Sequence, residues 1–251
     1  MPHIDLNCDL GESFGAYTIG MDEKVIPFIT SANVACGFHA GDPLVMQRTV
    51  ALCKQSGVAV GAHPGFPDLQ GFGRRQMKLT PVEAKACVQY QIGALKAFCD
   101  AAGVPLHHVK PHGALYNMAG KDRALADAIC AAVKESAPGA VLLALSGSEM
   151  VKAAQAIGLP VANEVFADRG YRPDGSLVPR GTPGAMIEDK DEAIARVIRM
   201  VTEGKVTAND GTDIAIQADS VCVHGDGPKA LAFVEKIGAA LQAAGVELKA
   251  F

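Results

Sequence analysis

The segment VKPHGALYN, residues 109–117, gives the strongest local chemical signal in this sequence. Lys110 and His112 are two residues apart on a predicted strand, so their side chains share one face, and Pro111 between them cannot donate a hydrogen bond. A lysine can hold an anionic charge in place while a neighbouring imidazole moves a proton. The alternative is a structural histidine beside a lysine that is paired with a carboxylate such as Asp9.

The segment DLNCDLGESFG, residues 5–15, reads as a strand in which polar and apolar residues alternate. In a barrel, Asp5, Asn7 and Asp9 would point inward while the residues between them face the surrounding helices. Two carboxylates inside a parallel barrel cost free energy unless they are paired, hydrogen bonded or bound to a ligand. The alternative is an edge strand with one hydrated polar face.

One carboxylate and three imidazoles follow different predicted strands. Asp9 ends the first strand, and His39, His63 and His112 follow the second, third and fourth. If the strand ends converge, these side chains could form a divalent-metal site with open positions for water. Because their spacing is long and nonlocal, acid, base or hydrogen-bonding roles for the same residues stay open.

Other familiar sites are absent or weak in the sequence. It contains no phosphate-binding P-loop, no Gly-x-Gly-x-x-Gly fingerprint and no Gly-x-Ser-x-Gly nucleophile elbow, so any nucleotide is bound unconventionally or on a partner. Cys36 and Cys222 lie near strand ends but lack a local activating signature. His3, His107 and His108 lie away from the strand ends that carry the chemistry, so we predict structural roles for them.

Two long irregular stretches could cover the site. The stretch 63–75 is rich in glycine and proline and ends in Arg74 and Arg75, so it could clamp a carboxylate or phosphate. A surface turn with solvated arginines is the alternative. The stretch 168–187 contains an Arg-Pro-Asp-Gly turn, which predicts a small hairpin and a lid.

Seven β-like runs alternate with helical patterns along the chain. The predicted strands are residues 3–9, 31–38, 58–64, 107–113, 140–146, 161–167 and 220–225. Two predicted helices begin at the Asp42-Pro43 and Thr80-Pro81 start signals. Four more are predicted over residues 122–136, 148–157, 189–203 and 228–244. This alternation predicts an α/β fold with a parallel sheet. Polar side chains end most of the runs, which favours a closed barrel over an open sheet with a single switch point.

Length and composition fit one cytoplasmic domain. The 251 residues lie within the range of a single barrel, so we predict one domain over residues 1–251. A net charge of −4, without basic clusters, argues against nucleic acid and anionic membranes as partners. Seven scattered cysteines without a Cys-x-x-Cys pair argue against disulfides or structural zinc. The first ten residues show neither a basic leader nor an apolar signal segment, which predicts a cytoplasmic location.

Six segments, in this order, resemble the LamB/YcsF family. They are DLNCDLGESFG, SANVACGFHAGD, GAHPGFPD, VKPHGALYN, FADRGY and CVHGD. The resemblance covers nearly the whole chain and implies an irregular seven-stranded (β/α) barrel of the glycoside hydrolase/deacetylase type. It also implies that the chain works with B and C subunits of a prokaryotic 5-oxoprolinase, which converts 5-oxo-L-proline, ATP and water into L-glutamate, ADP and phosphate.

The chemistry of the implied reaction explains its need for ATP. A five-membered lactam is a poor electrophile, and its opening is uphill because the amine recloses on the nearby carboxyl group at high effective molarity. Phosphorylation of the amide oxygen makes a reactive imidate that water can attack.

The resemblance implies roles for individual residues. Asp9 or His112 would activate water as general base, Lys110 would stabilise charge that develops on oxygen, and Arg74 or Arg169 would hold the substrate carboxylate. The predicted substrate-binding residues are Asn7, Glu12, Asn33, Arg74, Asn117, Asp168 and Arg169. By analogy with the Asp/His/His centre of related deacetylase barrels, the predicted metal ligands are Asp9, His39, His63 and His112.

Two alternative functions stay open at this point. One is a stand-alone, metal-dependent amidohydrolase or deacetylase that acts without ATP. The other is a non-catalytic subunit that presents substrate to catalytic partners. The crowded carboxylates, imidazoles and lysine argue against pure binding, because such groups are costly to assemble without chemistry.

Overall fold

Seven parallel strands close into a barrel in this computed structural model, which describes residues 2–223 and 228–251. The strands in chain order are β1 (His3–Leu10), β2 (Ser31–Ala35), β3 (Ala59–His63), β4 (Leu106–Val109), β5 (Val141–Leu145), β6 (Val161–Phe166), β7 (Lys205–Thr207), β8 (Asp213–Ala215), β9 (Ser220–Cys222) and β10 (Glu247–Leu248). The barrel runs from β1 through β6 to β9, and it closes where β9 pairs with β1. The predicted seven-stranded (β/α) barrel is therefore confirmed.

Helices follow most barrel strands and cover the outside of the barrel. They are α1 (Asp22–Val25), α2 (Pro43–Ser56), α3 (Pro81–Ala102), α4 (Gly113–Ala119), α5 (Arg123–Ser136), α6 (Glu149–Ala156), α7 (Lys190–Glu203) and α8 (Pro228–Ala243). Asp42 caps α2 by accepting hydrogen bonds from Leu44 N and Val45 N, each at 2.9 Å. Thr80 and Glu83 form the predicted capping box of α3.

The alternation of β1 divides its side chains between the helices and the barrel interior. Asp5 and Asn7 are fully buried inside, and strands β2 and β9 pair with β1 on its two sides. The Asp5 carboxylate accepts hydrogen bonds from the hydroxyl groups of Ser31, at 2.8 Å, and Ser220. Burial raises the pKa of Asp5 above its usual value. The alternative of a hydrated edge strand is therefore wrong, because both edges and both faces of β1 are covered.

The fourth predicted strand ends earlier than expected. β4 stops at Val109, and His112 immediately precedes α4, a helix that was not predicted from the sequence. Pro111 causes the early end because it has no N–H for the ladder. The backbone nevertheless stays extended, since Lys110 N donates to Ala62 O at 2.9 Å, and His112 N donates to Pro64 O at 2.8 Å.

Several short elements also escaped prediction. The antiparallel pair β7–β8 and the strand β10, which pairs with the outer part of β1, carry weak sequence signals because they contain only two or three residues each. The predicted strand over 220–225 is observed as Ser220–Cys222, and its last two residues lie outside the described part. No helix of the described residues is both long and apolar enough to cross a membrane.

Candidate active site

A cavity of about 790 Å³ opens at the carboxyl ends of the barrel strands. The predicted site residues that line it are Asp9, Glu12, His63, Arg74, Lys110, His112, Asn117 and Arg169. Four others do not line it. Asn7, Asn33 and His39 are fully buried, and Asp168 is half-buried.

Asp9 is an ionised carboxylate held at the cavity floor. Its Oδ1 accepts hydrogen bonds from Asn33 Nδ2 at 2.9 Å and from Lys110 Nζ at 3.0 Å, and its Oδ2 lies 3.2 Å from His63 Nε2. Burial opposes the negative charge, but His63 and Lys110 hold the pKa of Asp9 well below its usual value. Its side chain is 21% exposed, so the charged group can meet a ligand in the cavity.

Lys110 is surrounded by acceptors from the barrel itself. Its Nζ lies 2.7 Å from Glu164 Oε1, 3.0 Å from Asp9 Oδ1, 3.1 Å from Asn7 Oδ1 and 3.3 Å from Cys222 Sγ. Burial disfavours the ammonium, yet Asp9, Cys222 and Glu164 raise the pKa of Lys110 well above its usual value. An ammonium has three N–H groups, and these four acceptors of the protein occupy all of them.

Glu164 and Tyr116 complete this charged network, and neither was predicted from the sequence as a site residue. Glu164 is fully buried on β6, and its Oε2 accepts a hydrogen bond from the Tyr116 hydroxyl at 2.5 Å. Burial and the adjacent Glu164 raise the pKa of Tyr116 well above its usual value, so the phenol stays protonated and donates. Glu164 lies near the end of a predicted strand, and Tyr116 lies four residues after His112. These two positions in the sequence were the only local indications that Glu164 and Tyr116 could belong to the site.

His63 and His112 meet at 2.9 Å, between His63 Nε2 and His112 Nδ1. The second nitrogen of each ring faces a backbone carbonyl, because His63 Nδ1 lies 2.7 Å from Lys110 O and His112 Nε2 lies 2.8 Å from Phe72 O. A carbonyl oxygen only accepts, so both of these outer nitrogens carry hydrogen and donate. Burial lowers the pKa of His112 to about 3, which keeps its ring neutral near pH 7.

His39 and Glu12 extend the cluster. The His39 ring stacks on His112 with centroids 3.7 Å apart, and neither of its nitrogens has a hydrogen-bond partner among the described residues. Burial and the nearby His112 lower the pKa of His39 well below its usual value. One donor atom from each of Glu12, His39, His63 and His112 lies within 4.8 Å of the others. The predicted histidines are thus together, and Glu12 joins them while Asp9 lies beside His63.

The stretch 63–75 packs tightly over these histidines. Phe72 adopts a left-handed backbone with φ of 54°, which is costly for a bulky residue, and it aims its carbonyl at His112. A Cβ atom at Gly73 would lie 2.7 Å from His39 Cβ, so only glycine allows this approach. Arg74 lies over the Phe72 ring, 4.9 Å from its centroid, and lines the cavity.

Arg169 organises the stretch 168–187 from within. Its Nε donates to Ala185 O at 3.1 Å, and its Nη2 donates to Val178 O at 2.7 Å. Two isolated antiparallel bridges across the stretch form the predicted hairpin. Burial lowers the pKa of Arg169 to about 10. Two nitrogens of this guanidinium therefore hold together the loop that borders the cavity.

Comparison with known proteins assigns the chain to a family. The model of the LamB/YcsF family matches residues 4–251. The chain belongs to the LamB/YcsF family. Among its relatives, a Clostridium beijerinckii protein that is named as the A subunit of 5-oxoprolinase is 64% identical over 248 residues, which cover 99% of this chain and 97% of that protein.

Solved structures agree with this LamB/YcsF assignment and with the barrel type. The crystal structure of a lactam utilization protein from Thermus thermophilus is 52% identical, superimposes with a TM-score of 0.94, and covers 99% of this chain and 100% of that one. A family 4 carbohydrate esterase from Streptomyces lividans superimposes with a TM-score of 0.51 at 11% identity, covering 98% of this chain and 91% of that one. This second likeness shows the fold alone.

Proposed function

We propose that this chain is the A subunit of an ATP-dependent 5-oxoprolinase, which works with B and C subunits to convert 5-oxo-L-proline, ATP and water into L-glutamate, ADP and phosphate. The observation that carries the proposal is the 64% identity, over 99% of the chain, to a relative that is named as this subunit of 5-oxoprolinase. The cavity adds support, because it combines an ionised carboxylate, imidazoles and a cation at the strand ends, where barrel enzymes carry out their chemistry.

Asp9 is the better placed of the two proposed bases. The Asp9 side chain is 21% exposed and that of His112 is 5% exposed, and both nitrogens of His112 already face partners. With Oδ1 held by two donors, Oδ2 is the oxygen left to orient and deprotonate a water that attacks the activated lactam carbon. Asp9 Oδ2 would take the proton that this water loses.

Arg74 is the better placed of the two arginines for the substrate carboxylate. Arg169 uses two of its donor nitrogens on loop carbonyls, whereas the Arg74 guanidinium packs on the Phe72 ring at the cavity wall. A planar guanidinium binds a carboxylate through two parallel hydrogen bonds. Lys110 in this proposal keeps Asp9 ionised and fixed, because its N–H groups are directed at protein acceptors.

A divalent cation fits the cluster of Glu12, His39, His63 and His112. The buried His39 ring has no hydrogen-bond partner for either nitrogen among the described residues. Since buried polar atoms normally have a partner, a bound cation would account for this ring. The carbonyl contacts of His63 and His112 are of the kind that orient metal-bound imidazoles. These four residues would hold the ion, which, when bound, would act as a Lewis acid and make water more acidic.

ATP and the partner subunits enter the proposal together. The chain has no P-loop, so we propose that the nucleotide is bound wholly or partly by the B and C subunits. The activated lactam would then reach the cavity of this chain for ring opening. ATP is consumed in this scheme: after water adds to the phosphorylated lactam, the C–N bond breaks as the ring nitrogen takes up a proton, and a second water hydrolyses the resulting acyl phosphate to glutamate and phosphate.

Reconstitution tests the proposal. Glutamate and ADP would be measured after adding 5-oxo-L-proline and ATP to this chain alone, to the B and C subunits alone, and to all three together. We expect glutamate only from the full mixture, in step with ADP. Glutamate from B and C alone would overturn a catalytic role for this chain, and product from this chain alone without ATP would support the stand-alone amidohydrolase instead.

A further inference from the structure

Asp9, Asn33, Gly61 and His108 form one row across four neighbouring barrel strands. In the strand registers, Asp9 lies opposite Asn33, Asn33 opposite Gly61, and Gly61 opposite His108. The register of β3 and β4 shifts just before this last pair, a local irregularity of the kind that re-aims side chains. The row joins His108, for which the sequence suggested a structural role, to the carboxylate at the cavity floor.

Gly61 is the gap that lets His108 reach Asn33. A Cβ atom at Gly61 would lie 2.1 Å from His108 Nε2, which no side chain could tolerate. Through this gap, His108 Nε2 comes within 2.8 Å of Asn33 Oδ1. A glycine inside a strand costs about 0.5–1 kcal/mol relative to alanine. Gly61 therefore lowers the local stability of β3 but allows the contact between His108 and Asn33.

Hydrogen-bond chemistry fixes the orientation of each group in the row. The Asp9 carboxylate only accepts, so the Asn33 atom 2.9 Å from Asp9 Oδ1 is the amide nitrogen. The same Nδ2 donates to Asn7 Oδ1 at 2.8 Å, and Lys110, which only donates, requires this Asn7 atom to be the oxygen. Asn33 Oδ1 must therefore accept, and His108 must carry its hydrogen on Nε2.

The other side of the His108 ring faces His107. His108 Nδ1 lies 3.1 Å from His107 Nδ1, and the other His107 nitrogen, Nε2, donates to Phe251 O at 2.9 Å. His108 is fully buried, and burial, His107 and Lys110 lower its pKa well below the usual value, so the ring is neutral and has one hydrogen. With that hydrogen on Nε2, a chain of directed hydrogen bonds runs from His108 through Asn33 to Asp9.

We propose that His108, acting through Asn33, is a positioning residue for Asp9. By donating to Asn33 Oδ1, it holds the amide so that Nδ2 donates to Asp9 Oδ1, and Oδ2 is left for chemistry. Without the His108 donor, Asn33 Oδ1 is left buried and unpaired, so the amide is held less firmly and the donor to Asp9 Oδ1 is no longer fixed. This inference rests on the proposed function for its catalytic consequence and on the hydrogen-bond geometry for its structural part.

The test compares His108→Leu, which removes the donor, with His108→Gln, which keeps an N–H, in the complex reconstituted with B and C subunits. We expect His108→Leu to lower kcat by about 10- to 100-fold with KM unchanged. This is the usual effect of removing a residue that orients a metal ligand or catalytic group through a hydrogen bond. His108→Gln should restore most of the kcat. The exposed His3, changed to Leu, is the matched control.

Two further measurements make the outcome decisive. If His108 acts through Asn33, His108→Leu should have no added effect on kcat in an Asn33→Ala background. An equal loss in that background, or Gln no better than Leu, overturns the proposal. Nitrogen NMR of the histidines tests the geometry independently of activity. An Nδ1–H tautomer for His108 would overturn the inference even if the complex is active, whereas an inactive wild-type complex would count against the proposed function instead.

Discussion

His63 Nε2 and His112 Nδ1 lie 2.9 Å apart, although the other nitrogen of each ring already donates to a backbone carbonyl. Two neutral rings in these tautomers would point their lone pairs at each other. Since burial keeps His112 neutral near pH 7, the proposed divalent cation between these two nitrogens would remove this repulsion. This relationship links the hydrogen-bond geometry of the site to the proposed metal.

The proposed metal site can be tested by direct measurement of binding. We expect the chain, after treatment with a chelator, to take up one Zn²⁺ per molecule in a calorimetric titration. His39→Gln should abolish or strongly weaken the binding, because both nitrogens of His39 are available among the described residues. His3→Gln, on the exposed start of β1, is the control. Equal binding by wild type and His39→Gln would refute the assignment.

Arg74 and Arg75 form a matched pair for a test of substrate binding. Arg75 is bound to Asp68, whereas Arg74 lines the cavity over the Phe72 ring. We expect Arg74→Gln to raise the KM for 5-oxo-L-proline about 10- to 100-fold, from the loss of a charge-assisted contact of roughly 1.5–3 kcal/mol. Arg75→Gln should leave KM nearly unchanged. The idea fails if both variants change KM equally.

Lys110 should be essential for stability as well as for catalysis. Lys110→Met would leave the fully buried Glu164 without its counter-ion and Asp9 without one of its donors. We expect the free energy of unfolding to fall by about 3–5 kcal/mol, as for other broken buried ion pairs. Lys96→Met, which breaks an exposed pair with Asp100, should cost less than about 0.5 kcal/mol. Denaturant titrations at pH 7 that give equal losses would contradict a buried ion-pair network around Lys110.

His108 should make stability depend on pH. Burial lowers its folded-state pKa well below 6.5, with added repulsion from His107 and Lys110, so the unfolded chain binds a proton there more readily. Its stabilisation is complete above pH 6.5 and is lost as the pH falls below that value. The contribution to the slope is at most about 1.4 kcal/mol per pH unit.

The pH test uses denaturant titrations of the isolated chain, with chelator present. His108→Gln should flatten the fall in unfolding free energy below pH 6.5, because glutamine does not titrate there. His63 and Asp9 also face His108 electrostatically, so the comparison is between variant and wild type rather than with a flat line. His3→Gln is the control. Identical slopes for wild type and His108→Gln would contradict a neutral, buried His108.

The local signals in the sequence predicted the barrel well. Alternation within residues 5–9, the capping residue Asp42 and the capping box at Thr80 depend on neighbours along the chain, so they can be read without a structure. The early end of β4 was missed because two opposing effects meet there. Pro111 breaks the ladder while the backbone on both sides stays extended.

The nonlocal parts of the site could not be predicted from spacing. That Glu12, in addition to Asp9, approaches the histidines depends on the turn that follows β1. The contact of His108 with Asn33 depends on the register shift between β3 and β4 and on the missing side chain of Gly61. A register is set by pairing across the sheet, and a shift of one residue turns a side chain to the opposite face.

Asp9→Asn in the reconstituted complex tests the central claim most directly, because the change keeps the size of the side chain and removes its charge. Glutamate and ADP would be measured together, with Asp100→Asn, on the exposed pair with Lys96, as control. We predict that glutamate release falls by about 10²- to 10⁴-fold, the usual contribution of a catalytic base, while the thermal melting temperature shows that the chain remains folded. Glutamate release at the wild-type rate from a folded Asp9→Asn complex would contradict the account, because ring opening would then take place elsewhere.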